Sequence, residues 1–145
     1  MTRFVVDASV AVKWFLDENE SAEARLLLAR DYRLTAPDLV FAEAANILWK
    51  RVRRKEMTPT QAQSVQLGLF DIPIDVFESA ALTSDALRLA AETNATVYDC
   101  MYLALALRNG FLLVTADQRL CRRLADGPYG APVVPLAEFR PPGLH

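Results

Sequence analysis

Residues 97–120, VYDCMYLALALRNGFLLVTADQRL, read as a helix, a turn and a strand in immediate succession. The positions from Met101 to Leu107 are apolar nearly all round, so a helix here has to be buried. Asn109-Gly110 tolerate the left-handed backbone that closes a helix, and residues 111–114 form a short apolar run of strand type. Asp99 stands at the front of the helix and Asp117 directly after the strand. Charge fixed at the ends of two apolar elements is costly unless something compensates it.

The rest of the chain repeats this alternation. Residues 3–6 form a strand that ends at Asp7, and Ser9 begins a helix with an apolar surface of Val10, Val12, Trp14, Phe15 and Leu16. A second helix covers 22–31, and 34–36 is a brief strand stopped by Pro37. A longer helix covers 38–55, and Thr58-Pro59-Thr60-Gln61 opens another with a capping box and a proline at its first position, so that the two form a hairpin. Pro73 ends it. Then come a strand at 74–77 and a helix at 78–94 with Leu82, Leu87, Leu89 and Ala90 among its apolar positions. Beyond residue 120 lie an amphipathic helix to 125, turns at Gly127-Pro128 and Gly130, a last strand at 132–134 and a Pro-rich tail at 138–145. Short strands separated by helices predict an α/β fold, a parallel sheet covered on both faces. With 145 residues and 52% hydrophobic content, one domain spans 1–145 with its core at about 1–137.

Several chemistries are excluded. A net charge of -2 argues against a surface coated in positive charge, so a nucleic-acid partner requires a local basic patch or a bound metal. Cys100 and Cys121 lack CxxC spacing and read as buried thiols, which favours a reducing cytoplasm. No apolar run approaches the roughly 20 residues that span a bilayer, and no targeting segment is evident. The only histidine is His145, neither cysteine has a nearby base, and there is no Gly-rich phosphate loop, which disfavours nucleophilic triads and nucleoside-triphosphate folds.

Ligands of open α/β sheets bind beyond the carboxyl ends of the strands, where Asp7 and Asp117 stand, with Asp99 added from the start of a helix. Glu43 has Leu39 and Val40 one turn before it and Ile47 one turn after, an apolar stripe in which a carboxylate needs a partner; Lys50 and Arg51 lie too far along the helix. Taken singly, Asp7, Asp99 and Asp117 read equally well as helix caps. Taken together, carboxylates crowded into one pocket repel and require a cation. Mg²⁺ suits oxygen ligands, with Mn²⁺ as its substitute, and hydrolysis of a phosphodiester by metal-activated water is the chemistry left.

In order and spacing, VVDASVAVKWF, the Glu in the third helix, YDCMYLALA and VTADQRL resemble the PIN-domain ribonucleases, most closely the VapC toxins of type II toxin-antitoxin systems. The resemblance covers nearly the whole chain. It implies a three-layer α/β/α sandwich with a short, mostly parallel sheet of four or five strands, and Mg²⁺-dependent endoribonuclease activity leaving 5′-phosphate and 3′-hydroxyl ends. It also implies homodimers and a cognate VapB-type antitoxin, whose tail covers the helices between Val10 and Asn46 and places a basic side chain among the acids. Asp7, Glu43, Asp99 and Asp117 would form the acidic metal site, with Ser9 and Thr115 as hydroxyl companions. Cys100 stands where Ala is commoner, and Gln118 follows the last Asp, so a fifth acid is absent there.

Positive charge for RNA is sought first at the end of the Glu43 helix, Lys50 above all, and in Arg119, Arg122 and Arg123 just beyond Asp117; both groups read equally as solvated helix ends. Trp14 and Trp49 have the spacing of core or partner surface rather than of base-stacking platforms. Two other readings stay open: a receiver-like Mg²⁺-binding signalling domain, and a catalytically silent PIN fold that acts by partner binding. A receiver would need paired acids after its first strand and a Lys after its last, whereas Asp7 stands alone and Val133-Val134 leads to Pro135.

Overall fold

The structure, a computed structural model, describes residues 2–141. Five strands, β1 (Thr2–Val6), β2 (Tyr32–Pro37), β3 (Ile74–Phe77), β4 (Leu112–Thr115) and β5 (Val133–Pro135), form one parallel sheet in the order β3-β2-β1-β4-β5. β1 is central. Its Phe4 lies opposite Leu34 of β2 and Leu112 of β4, and Phe4, Val5 and Val6 are all buried, as expected of a strand covered on both faces. A receiver's doubly wound sheet runs in the order 2-1-3-4-5, so this topology argues against that alternative.

The chain winds from β1 outward to β3, then returns across the sheet to β4 and β5. With right-handed crossovers this reversal puts α1 (Ala8–Ala11), α2 (Ser21–Leu26), α3 (Leu39–Arg53) and α4 (Pro59–Gly68) on one face. It sends α5 (Thr83–Thr93), α6 (Val97–Asn109) and α7 (Gln118–Ala125) to the other. The result is an α/β/α sandwich. α6 packs on β1, β2 and β4, with Cys100 through Ala106 buried, and α5 lies against it. Gly110 closes α6 with φ +69°, and Thr58 caps α4 through a full capping box with Gln61.

Several boundaries differ from expectation. The first helix is only four residues long before it tightens into a 3₁₀ turn at Val12–Trp14, where the buried Trp14 donates its indole N–H to Ala24 O at 2.9 Å. α2 ends at Leu26 because the following residues turn to feed β2, Tyr32 N donating to Ala29 O at 3.1 Å. The expected helix at 78–94 begins instead as a 3₁₀ turn, Ser79–Leu82, and Leu87 is 64% exposed: the buried positions Leu82, Ala86 and Leu89 follow helical spacing and Leu87 falls between them. Trp49 is 54% exposed and so is not core. Cys100 is buried, but Cys121 only partly so, and both are free thiols. Phe139 packs edge-on against Phe4 and Tyr32, with ring centroids 5.4 and 6.2 Å away. Residues 142–145 of the Pro-rich tail, His145 included, lie outside the described residues. Among those described, no helix is long and apolar enough to cross a membrane.

Candidate functional site

The strand order reverses between β1 and β4, and a crevice opens beyond their carboxyl ends. It is a cavity of about 430 Å³, and Asp7, Glu43, Asp99 and Asp117 all line it. Four segments far apart in sequence therefore bring their acids to one place. Asp7 terminates β1 and caps α1, accepting from Val10 N at 3.3 Å. Asp117 caps α7, accepting from Leu120 N at 3.1 Å. Asp99 caps nothing. Thr96 is the N-cap of α6, its Oγ1 accepting from Asp99 N at 3.0 Å, which leaves the Asp99 carboxylate to the cavity.

Ser9 and Thr115 tie the two strand ends together. Ser9 Oγ donates to Asp7 Oδ1 at 2.5 Å and accepts from Ala116 N at 3.0 Å. Thr115 Oγ1 donates to Asp7 Oδ2 and accepts from Asp117 N at 3.0 Å. Both Asp7 oxygens are thus satisfied inside the protein, and the loop carrying Asp117 is held to the end of β1. Thr115 is fully buried.

Glu43 does not lie in the core stripe of α3, which is Val40, Ala44 and Leu48; it occupies the neighbouring stripe with Leu39, Asn46 and Lys50, half-buried and facing the cavity. The phenol of Tyr102, a residue sequence reasoning missed, lies near Glu43 and partly offsets the effect of its burial. Tyr102 stands one turn after Asp99 on α6, is 1% exposed, and its hydroxyl makes no hydrogen bond of ordinary geometry among the described residues. Burial and the charges of Glu43, Asp7 and Asp99 hold it protonated. The available signal was a hydroxyl three residues after Asp99, set within the apolar run from Cys100 to Leu107.

Burial pushes Asp7 up to about 6 despite the bonds from Ser9, Thr115 and Val10, and the charge of Asp99 adds to the rise. Burial also raises Glu43 and Asp99; Asp99 is raised further by Asp117 and drawn down by Thr96 and by the Arg123 charge. Negative charge here is therefore under-compensated by the protein itself. Because the folded protein holds the Asp7 proton more tightly than the unfolded chain, whose reference value is 3.8, ionised Asp7 opposes folding. The penalty grows from about pH 4 to 6 and levels off above, at up to about 3 kcal/mol. In chelator at pH 7.5, Asp7→Asn should melt several degrees above wild type, and the gap should close by pH 4; equal melting temperatures at pH 7.5 would count against this electrostatic account.

The donors fit a hard divalent cation: the cavity's ionisable lining is four carboxylates, Lys50 and the phenol of Tyr98, with no thiol or imidazole. Among the described residues no three His, Cys, Asp or Glu side chains converge at ligand spacing, so the four carboxylates share the cavity without forming a closed coordination shell.

The expected cations are placed unevenly. Lys50 lines the cavity. Arg119, Arg122 and Arg123 do not: Arg119 is exposed, and Arg122 faces a separate cavity of about 230 Å³ beside Cys121 and Glu138. Arg123 turns away to donate to Asn94 O at 2.9 Å, close enough to act on Asp99 only through its charge. Burial and the nearby acids push the Cys121 thiol up to about 11, which keeps it protonated at neutral pH.

The family model for the PIN domain matches residues 4–125. Ribonuclease VapC3 of Pyrobaculum aerophilum is 33% identical over 123 residues, covering 83% of this chain and 94% of that protein. Among solved structures, PAE2754 from P. aerophilum superposes with a TM-score of 0.66 at 28% identity, over 84% of this chain and 79% of its own. A toxin-antitoxin complex from Klebsiella pneumoniae gives a TM-score of 0.62 at 15% identity, over 93% and 98%, a likeness of fold alone. The sheet order, the four acids at its switch point and these matches agree: the chain belongs to the PIN-domain family.

Proposed function

We propose that this protein is a VapC-type endoribonuclease toxin that hydrolyses RNA phosphodiesters with Mg²⁺. The observation that carries the reading is the meeting of Asp7, Glu43, Asp99 and Asp117 in one cavity of a PIN domain, and the likeness to a protein named as a ribonuclease supports it. Asp7, Glu43, Asp99 and Asp117 would hold the ion. When bound, Mg²⁺ supplies Lewis-acid stabilisation of the scissile phosphate and activation of water. Ser9 and Thr115 keep the Asp7 carboxylate oriented and hold Asp117 to the end of β1. Lys50 offsets the negative charge that RNA brings toward the acids.

A protein partner suits the surface outside the cavity. On the α3–α4 hairpin, Trp49, Leu67 and Phe70 are exposed, and Phe41 stacks on Phe70 with centroids 4.9 Å apart, an apolar display that a VapB-type antitoxin or a second copy would cover. The test of the enzymatic reading is cleavage of cellular RNA by purified protein in Mg²⁺, its loss in chelator, and its return on adding Mn²⁺. Mapped products should carry 5′-phosphates. Cleavage that persists in chelator would overturn the metal-dependent reading.

A further inference from the structure

The acid cavity has a second end. The wall supplied by α3 presents Leu39, Glu43, Asn46, Ile47 and Lys50 at helical spacing, so it runs from carboxylate through amide to ammonium. Lys50 lies seven residues beyond Glu43, two turns or roughly 10 Å along the helix axis, too far along it to share the acids' cation position. Its neighbours are committed elsewhere. Arg51 forms a two-pronged ion pair with Glu18, which also takes Lys13, and Arg53 lies over the Trp49 ring at 5.8 Å. Lys50 is exposed, faces the cavity and has no ion-pair partner among the described residues.

A second helix, α6, contributes Tyr98, beside Asp99, to the lining of the cavity. Tyr98 is 58% exposed, whereas Cys100 to Ala106 on the same helix are buried. An aromatic ring left in solvent at the mouth of a polar cavity forfeits the burial that its neighbours gain. A ring there offers a flat π-face at little conformational cost, and a cation on another wall of the same cavity completes what single-stranded nucleic acid needs: a platform for a base and a charge for a backbone phosphate.

We propose that Tyr98 and Lys50 form a nucleotide subsite, in which one unstacked base lies on the Tyr98 ring while the Lys50 ammonium takes a phosphate next to the one held at the acids. The inference rests on the nuclease reading and deepens it, because a base inside a duplex is already stacked on both faces and cannot use the platform. The subsite therefore selects single-stranded RNA, and its tolerance of base identity follows from every base having a π-face.

The test measures binding by fluorescence anisotropy in an Asp117→Asn background, which stops turnover, in Mg²⁺. The probe is a 5′-fluorescein 12-nucleotide RNA of mixed, unstructured sequence, alone or annealed to its complement. Tyr98→Ala should weaken single-strand binding about 5- to 150-fold, the range for one lost base–aromatic stack, while Tyr98→Phe binds as the parent does. Lys50→Gln should make the slope of log K against log salt shallower by about 0.7, one phosphate contact. The duplex should bind more weakly and be indifferent to Tyr98→Ala. Tyr98 is exposed, so thermal melts of these variants should match the parent.

Parent-like binding by Tyr98→Ala, or equal losses on single strand and duplex, overturns the subsite. So does a Tyr98→Ala variant that keeps RNA binding but loses self-association, which would make the ring a protein contact. Cleavage of the same RNA by the wild type, run alongside, separates the two readings. If wild type cleaves and Tyr98 is silent, only the subsite falls; if wild type neither cleaves nor binds, the nuclease reading falls with it.

Discussion

Asp99→Asn should leave the protein folded and lower Mg²⁺-dependent RNA cleavage by about a thousandfold or more. The cap of α6 uses the backbone N–H of Asp99 and not its carboxylate, so an amide of the same shape leaves the helix start intact. Removing the charge also relieves the repulsion from Asp117 and the burial penalty that together raise this group. The melting temperature in chelator should therefore equal or exceed that of wild type. Activity is another matter, because one of the four proposed oxygen ligands becomes a neutral, weaker one. Losing about 4 kcal/mol of transition-state stabilisation corresponds to a thousandfold. Asp71→Asn, the same charge change at an exposed position outside the cavity, is the control and should cleave as wild type does. Paired melts and single-turnover assays check both halves, and full cleavage by Asp99→Asn in Mg²⁺ would remove Asp99 from the site.

How much of this was legible depended on whether the signal was local. The start of helix α6, with Thr96 rather than Asp99 as the cap, could not be read from the sequence, whereas its body and C-terminal boundary could, because its left-handed stop at Gly110 and its apolar residues are written consecutively. The capping box of α4 and the strand at Ile74–Phe77 were legible for the same reason. The acids were legible as candidates, but the choice between cap and site was posed too sharply. Asp7 gives Oδ1 to Val10 N and still lines the cavity, and Asp117 likewise caps α7 from the cavity wall. A carboxylate has several lone pairs, so one group serves both roles. Only for Asp99 did the structure remove the capping role, by giving it to Thr96.

What the sequence hid was direction in space. Arg119, Arg122 and Arg123 follow Asp117 closely in the chain, yet α7 carries them away from the cavity, and Arg123 reaches back only to the end of α5. Lys50 and Tyr98 are 48 positions apart, on α3 and α6, and come to line one cavity only in the fold. Trp49 has apolar helical spacing but sits on the outer side of α3, a distinction that depends on where α4 packs and not on the period of the pattern.

The scaffold under the site should be far less forgiving than the site itself. Leu103→Asp should abolish folding, whereas Leu107→Asp, one turn later on the same helix, should be tolerated. Leu103 is 1% exposed, in the middle of a helix that packs on three strands and α5, while Leu107 is 40% exposed. At Leu107 a carboxylate stays hydrated and costs about 1 kcal/mol or less. At Leu103 the chain loses the burial of a leucine, worth about 2–5 kcal/mol on truncation, and must in addition desolvate a carboxyl group with no partner built for it, at several kcal/mol more. Set against a total stability of about 5–15 kcal/mol, the sum leaves little or no folded protein at 37 °C. Circular dichroism melts of the two variants, with Leu103→Ala as an intermediate, give the comparison. A cooperative transition for Leu103→Asp near the wild-type temperature would mean that α6 is not the packed element fixing Asp99 at the cavity. The contrast also explains why charge can be concentrated at Asp7, Asp99 and Asp117: each stands at the terminus of a rigid apolar element where it borders the cavity, so charge gathers on the cavity side while the leucines beneath stay dry.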